Sequence, residues 1–143
     1  MTGIARTIAP LAALAVALAA GCGGGASSGA KDAARQFLEA ITKRDTSAAA
    51  DLFAYDTLAR QQNEDWDSLP QGQRALITDQ VRQAKVGELM QWAALFSSTE
   101  YEVGEVRTAE TGATVDLVPP EGPAIPLHLV QEGEAWKVLR IGQ

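Results

Sequence analysis

The one cysteine of this sequence, Cys22, follows Leu18-Ala19-Ala20-Gly21 at the end of a short apolar run, where its thiol is placed for a specific covalent reaction. Small residues before it suit a peptidase that threads extended backbone through a narrow site. A cysteine directly after them can take a thioether-linked diacylglycerol. The other chemistry-bearing side chains are few. Asp116, His128, Tyr55 and Tyr101 are the candidates for a general acid or base. Asp116 and His128 alternate out of phase with the aliphatic rows around them, so they belong on an open sheet face, where antiparallel pairing could bring them together. Tyr55 and Tyr101 read as packing residues whose hydroxyls find a hydrogen bond. With one histidine and no further cysteine, only carboxylates remain for a metal, and they lack ligand spacing. No Gly-rich phosphate loop, nucleophile elbow or paired-acid signature is present. The sequence therefore predicts neither a metal nor a cofactor.

The residues ahead of Cys22 have the build of an export signal: the cation Arg6, an apolar run from Ile8 to Ala20 broken by Pro10, then small residues. That run falls short of the roughly 20 apolar residues a bilayer-spanning helix needs, so residues 1–21 are expected to be removed. The segment resembles the lipobox of bacterial lipoproteins, with Ala19 where that family usually carries leucine and Leu18 one step further out. The resemblance implies lipid on Cys22, palmitate among its chains, and a protein held at the extracytoplasmic face of a bacterial cell membrane. One chain alone holds weakly, and each buried methylene adds about 0.8 kcal/mol, so two or three chains hold permanently. A single cysteine also excludes an internal disulfide, so the domain must stand on its core.

The formal charge is −6, and loss of the one cation in residues 1–21, Arg6, takes it to −7. An acidic chain whose basic residues are scattered, with Lys43-Arg44 the one adjacent pair, excludes nucleic acid as a partner. Residues 22–29 comprise Cys22 and Gly-Gly-Gly-Ala-Ser-Ser-Gly, which reads as a flexible tether with a reach of about 15 Å. The folded domain is expected over residues 30–143.

Helix signals fill the first half of that domain. Ser27 or Ser28 can cap a helix carrying Ala34, Phe37, Leu38 and Ile41 at three- and four-residue spacing, ending at Lys43-Arg44. Asp45, Thr46 and Ser47 offer a cap for a short second helix, and Asp56 for a third around Leu58 to Gln62. Pro70 suits a helix N1 position and opens the longest helix, from about Gln71 to Phe96. Its expected inward stripe is Ile77, Val81, Ala84, Leu89, Ala93 and Phe96, with Gly87 a weak point. The second half changes to strand periodicity over residues 101–107, 113–118, 124–130 and 135–141, joined by connections short enough to make neighbours antiparallel. Ala113, Val115 and Leu117 should face inward with Ile125, Leu127 and Leu129; Thr114, Asp116 and His128 should face out. The predicted class is α+β, with N-terminal helices packed on a curved four-stranded antiparallel sheet.

Ala34-Arg35-Gln36-Phe37-Leu38-Glu39-Ala40, the turn and helix from Asp45 to Phe53, Tyr101-Glu102-Val103 and Trp136-Lys137-Val138 together resemble the nuclear-transport-factor-two-like (cystatin-like) lipoproteins, cone-shaped α+β domains. That resemblance implies a cavity between helices and sheet. Enzymes of the superfamily, isomerases, dehydratases and hydrolases, put an Asp, His or Tyr there; other members bind ligands or partners. The reading adopted is a non-catalytic module of the cell envelope that takes a small apolar ligand or an envelope protein, with a small-molecule enzyme using the cone cavity as the alternative. Its candidate cavity or contact residues are Trp66, Trp92, Tyr101 and Trp136. Trp66, flanked by Glu64, Asp65 and Asp67, is the best candidate for an exposed contact; Trp92 and Trp136 are expected in the core or at the cavity. The polar sheet face argues for a monomer.

Overall fold

The computed structural model describes residues 23–143, so the expected signal segment and the lipidation residue Cys22 lie outside the described residues. The chain runs through α1 (Gly23–Thr42), α2 (Thr46–Asp51), α3 (Tyr55–Gln62), a 3-10 turn (Trp66–Ser68) and α4 (Gln71–Ser97). Four strands follow, β1 (Glu102–Ala109), β2 (Gly112–Val118), β3 (Ile125–Glu132) and β4 (Ala135–Ile141). They pair in sequence order as an open antiparallel sheet, and the helices cover one of its faces. The α+β architecture expected from the sequence is the one observed.

Ala30, Ala34, Phe37 and Ile41 are all fully buried, one stripe of α1 that lies against the sheet and α4. The helix stops where Arg44 turns left-handed at φ 60°; the Arg44 amide then donates to the Ile41 carbonyl (3.0 Å) and the Asp45 amide to the Ala40 carbonyl (3.0 Å). These two bonds close the terminus in a Schellman arrangement and satisfy carbonyls the helix leaves open. Asp45 then caps α2 directly, accepting from the Ala48 amide at 3.0 Å.

At its other end α1 departs from expectation. Residues 23–29, read from composition as a free tether, form its first turns. Each glycine there costs about 1 kcal/mol against alanine, so packing and not propensity must hold this segment helical. Gly29 shows how: a Cβ at that position would lie 2.7 Å from Cδ1 of Trp136, so the bare backbone lets the helix rest on the indole edge.

The buried stripe of α4 is also displaced. Leu89, Ala93 and Phe96 are buried as expected, but Ala84 is exposed and Ile77 and Val81 are half-buried. At about 1.5 Å per residue the 27-residue helix is about 40 Å long, and its first half packs on α2 and α3, away from the sheet. There the facing residues are amphipathic cations: Arg82 pairs with Asp51 at 2.7 Å, and the Lys85 ammonium sits 5.0 Å from the Phe53 ring centroid. Gly87 on this helix is exposed with open space where its Cβ would go. Gly87→Ala should therefore raise the unfolding free energy by about 1 kcal/mol, read as a higher urea midpoint at unchanged m-value. An unchanged or lower midpoint would contradict this.

The core is closed by aromatic edges. Phe37 meets Phe53 (centroids 6.1 Å apart, 76°) and Phe96 (6.5 Å, 89°), and Phe96 meets Tyr101 (4.7 Å, 61°). From the sheet, Val115, Leu117, Leu127, Leu129 and Val138 complete it, all at or below 1% exposure. The inward and outward rows of β2 and β3 are those the alternation predicts, with Ile125 half-buried at the rim. The outer edge of β4 is not left open: the Ala54 amide donates to the Val138 carbonyl and the Val138 amide to the Leu52 carbonyl, both at 2.8 Å. That parallel bridge ties the α2–α3 corner to the sheet and protects one of its two edges.

Candidate functional site

Of the sequence candidates for acid–base chemistry, Tyr55, Asp116 and His128 have polar partners, whereas the Tyr101 hydroxyl, expected to find one, makes no hydrogen bond among the described residues. The phenol of Tyr55 donates to the Ala50 carbonyl, and burial pushes its pKa up to about 12. It therefore stays protonated at neutral pH. Asp116 does not meet His128. Sheet register sets Thr114 opposite His128 and Asp116 opposite Pro126, and the Asp116 carboxylate is gripped by both terminal nitrogens of Arg107, at 2.6 and 2.8 Å. This bidentate pair holds the Asp116 pKa below the usual carboxylate range, which makes it a poor base.

His128 is half-buried on the open sheet face with Nδ1 3.1 Å from the Thr114 hydroxyl. Desolvation first, then the positive charge of Arg140 and to a lesser degree that of Arg107, lower its pKa, against an opposing hydrogen bond to the Gly142 backbone. A depressed folded-state pKa means the unfolded chain takes up the proton first as pH falls through about 6.5. The stabilisation is whole above that value and is lost as pH falls through the folded-state pKa. A urea midpoint that falls from about pH 7.5 to about pH 5, with a smaller fall in His128→Gln, is the expected result. An identical fall in the variant would rule His128 out as a source of that pH dependence.

Of the tryptophans, Trp66 departs from expectation, while Trp92 and Trp136 pack against the core. Trp66, read as an exposed contact because acidic residues flank it, is 3% exposed. Its indole Nε1 donates to Asp56 Oδ1 at 3.0 Å, and the Arg74 guanidinium lies 5.8 Å from its ring centroid. Asp56 sits inside the first turn of α3, not at the cap position expected for it, and its other oxygen takes the Arg60 guanidinium at 3.0 Å. Arg60 also reaches Asp67 at 2.8 Å, so the neighbouring carboxylates belong to a clamp around Trp66. Arg60 and Trp66 together hold the Asp56 pKa below its ordinary value. Trp66 thus plugs the corner between α3 and α4. Trp92 is half-buried against Phe96 (centroids 5.9 Å apart) and the C-terminal Gly142, on the rim of the core. Tyr101 also packs on Phe96, beside a shallow groove of about 400 Å³ at the end of α4.

Trp136, like Tyr101, is half-buried beside a concave surface that polar groups line, and its groove is built from α1 and the strands. The groove, of about 470 Å³, gathers Ala26 from α1, Thr108, Glu110 and Thr111 from the β1–β2 hairpin, and Gln131 from β3. Gln131 is the direct cross-strand partner of Trp136. The hairpin residues drew no functional reading from the sequence, where they register as a turn. A second groove, of about 510 Å³, runs between α1 and the outer edge of β1, with Leu38 and Val103 as its apolar side chains and Arg35, Glu39, Lys43 and Glu102 among its walls. Arg35 and Lys43 there are already paired, with Asp32 and Glu39.

Among the described residues no cluster of His, Cys, Asp and Glu could hold a metal ion, and no helix is long and apolar enough to cross a membrane. No protein family model, no curated protein and no solved structure matches this chain.

Proposed function

We propose that this chain is a lipid-anchored extracytoplasmic protein of a bacterial envelope, held through Cys22, whose nuclear-transport-factor-two-like domain binds or recruits and does not catalyse. The observation that carries binding over catalysis is the interior. Every buried side chain among the described residues is apolar, and three phenylalanines fill the space between helices and sheet where a cone-cavity enzyme needs an acid or base. Asp116 and Tyr55, the two candidates with strongly directed partners, are tied to Arg107 and to a backbone carbonyl. The order of helices before an antiparallel meander, with α1 laid across the sheet, supports the superfamily reading.

The anchor reading rests on Leu18-Ala19-Ala20-Gly21-Cys22 and on the absence of a partner thiol in the sequence. With α1 helical from Gly23, the seven residues that follow Cys22 act as a stiff spacer and not as a free tether. The α1 end of the domain, with the Trp136 groove beside Ala26, lies nearest the anchor. The test is partition of the protein expressed in a bacterium: it is expected in the membrane pellet after alkaline carbonate and in the detergent phase after extraction. Recovery in the aqueous fraction would overturn the anchor.

A further inference from the structure

Trp136 packs against the edge of the core and under the first turns of α1. Its edge rests on the bare backbone of Gly29, where a Cβ would lie 2.7 Å from Cδ1 and 2.9 Å from Nε1, and the ring is half-buried, with part of it open to the groove. The β1–β2 hairpin turns in two residues, Glu110-Thr111, and brings a carboxylate and a hydroxyl to the same groove. With Thr108 and Gln131 they make four exposed polar side chains beside one flat aromatic surface.

The composition of that lining narrows what fits. It contains no Lys or Arg, which argues against a phosphate or carboxylate ligand. Its aliphatic contribution is two alanines, too little for a lipid tail or a purely apolar ligand. A quaternary ammonium ion gains most when several ring faces surround it, and here there is one. A sugar ring meets both halves of the surface. Its axial C–H face is apolar and stacks on the indole, and its equatorial hydroxyls donate to the Glu110 carboxylate and exchange hydrogen bonds with Thr108, Thr111 and the Gln131 amide. The volume of about 470 Å³ lies within the range of small-ligand sites.

We propose that the Trp136 groove is a saccharide site, with Trp136 as the stacking platform and Glu110 as the principal hydroxyl acceptor. The proposal rests on the binding-module reading and supplies its ligand class. Gly29 acts as a positioning residue: any side chain there displaces the indole.

The experiment uses the full chain in a detergent without a sugar headgroup, its three tryptophan indoles labelled with ¹⁵N. Cellotriose and chitotriose are titrated separately, with tetramethylammonium chloride as the cation control. At least one trisaccharide is expected to shift the Trp136 indole resonance saturably, with a dissociation constant of roughly 1 mM, and to leave Trp66 unmoved. Glu110→Gln, an exposed change that leaves the fold intact, and Trp136→Phe should each weaken binding by roughly tenfold or more. Gly29→Ala should move the Trp136 resonance before any sugar is added. No saturable shift with either trisaccharide, an equal shift with tetramethylammonium, or wild-type affinity in both Glu110→Gln and Trp136→Phe overturns the site. Membrane retention is scored on the same preparation. Lost sugar binding with retention intact removes this site alone, and lost retention removes the anchor alone.

Discussion

Cys22→Ala should abolish lipid labelling of the protein and leave it either uncut, with residues 1–21 still attached, or released from the membrane in soluble form. The thiol is the atom to which the diacylglycerol would be joined, and no hydroxyl or amine at that position substitutes for it in a thioether. The effect is expected to be all-or-none because the anchor is additive in methylenes. At about 0.8 kcal/mol each, the chains on one cysteine far exceed what the domain surface can contribute. That surface is acidic overall, with a net charge of −6 across the sequence, and so gives an anionic bilayer no electrostatic reason to retain it. Fractionation with metabolic incorporation of a palmitate analogue measures this. Undiminished labelling and membrane retention in Cys22→Ala would place the attachment elsewhere.

The second large effect is expected in the core. Phe37 is fully buried, contributed by the middle of α1, and its ring is the one that touches both Phe53 and Phe96. Phe37→Ala should destabilise the domain by about 3–5 kcal/mol, from lost transfer energy and the cavity left between three elements that cannot all collapse inward. Domains of this size carry about 5–15 kcal/mol in total, so this one side chain accounts for a large fraction of the stability. Phe37→Leu, which keeps most of the volume, should cost about 1.5 kcal/mol or less. Urea unfolding followed by circular dichroism separates the two. A loss below about 1 kcal/mol for Phe37→Ala would mean that the α1–sheet interface is loosely packed and that the described core is wrong.

Where the fold was legible in the sequence, the signal was periodic and local. Ala34, Phe37 and Ile41 are separated by three and four residues and bury one stripe; Ala113, Val115 and Leu117 alternate and bury one face. Short connections fixed which strands pair, and the structure closes two of them as two-residue turns, Glu110-Thr111 and Gly133-Glu134. The register, however, shifts between Val103 and Val106 and between His128 and Leu129, which the alternation alone did not reveal. Gly133 takes φ 62° at the first central position of its turn, which glycine adopts without strain.

What was misread depended on contacts distant in the chain. Trp66 looked solvated among its acidic neighbours, but its partner Asp56 lies ten residues earlier on another helix, and Arg60 and Arg74 neutralise the charge around it. Asp116 and His128 share a sheet face, yet Arg107, on the strand to the other side, claims the carboxylate first. In α4 the expected stripe fails at Ala84 because the helix outruns the sheet, so its lower half answers to α2 and α3. The glycine-rich start of α1 has the composition of a linker; the indole of Trp136, more than a hundred residues away, gives it a surface to lie on. The same distance hid the groove, since α1, a hairpin turn and β3 each supply part of it and no one segment carries a motif.

The most direct single measurement is the intact mass of the mature protein purified from a bacterial membrane. A chain beginning at Cys22 and heavier than its polypeptide by a diacylglyceryl group, with or without a further acyl chain, is the predicted result. A mature chain that begins elsewhere, or one that carries Cys22 as a free thiol, would contradict the anchored reading.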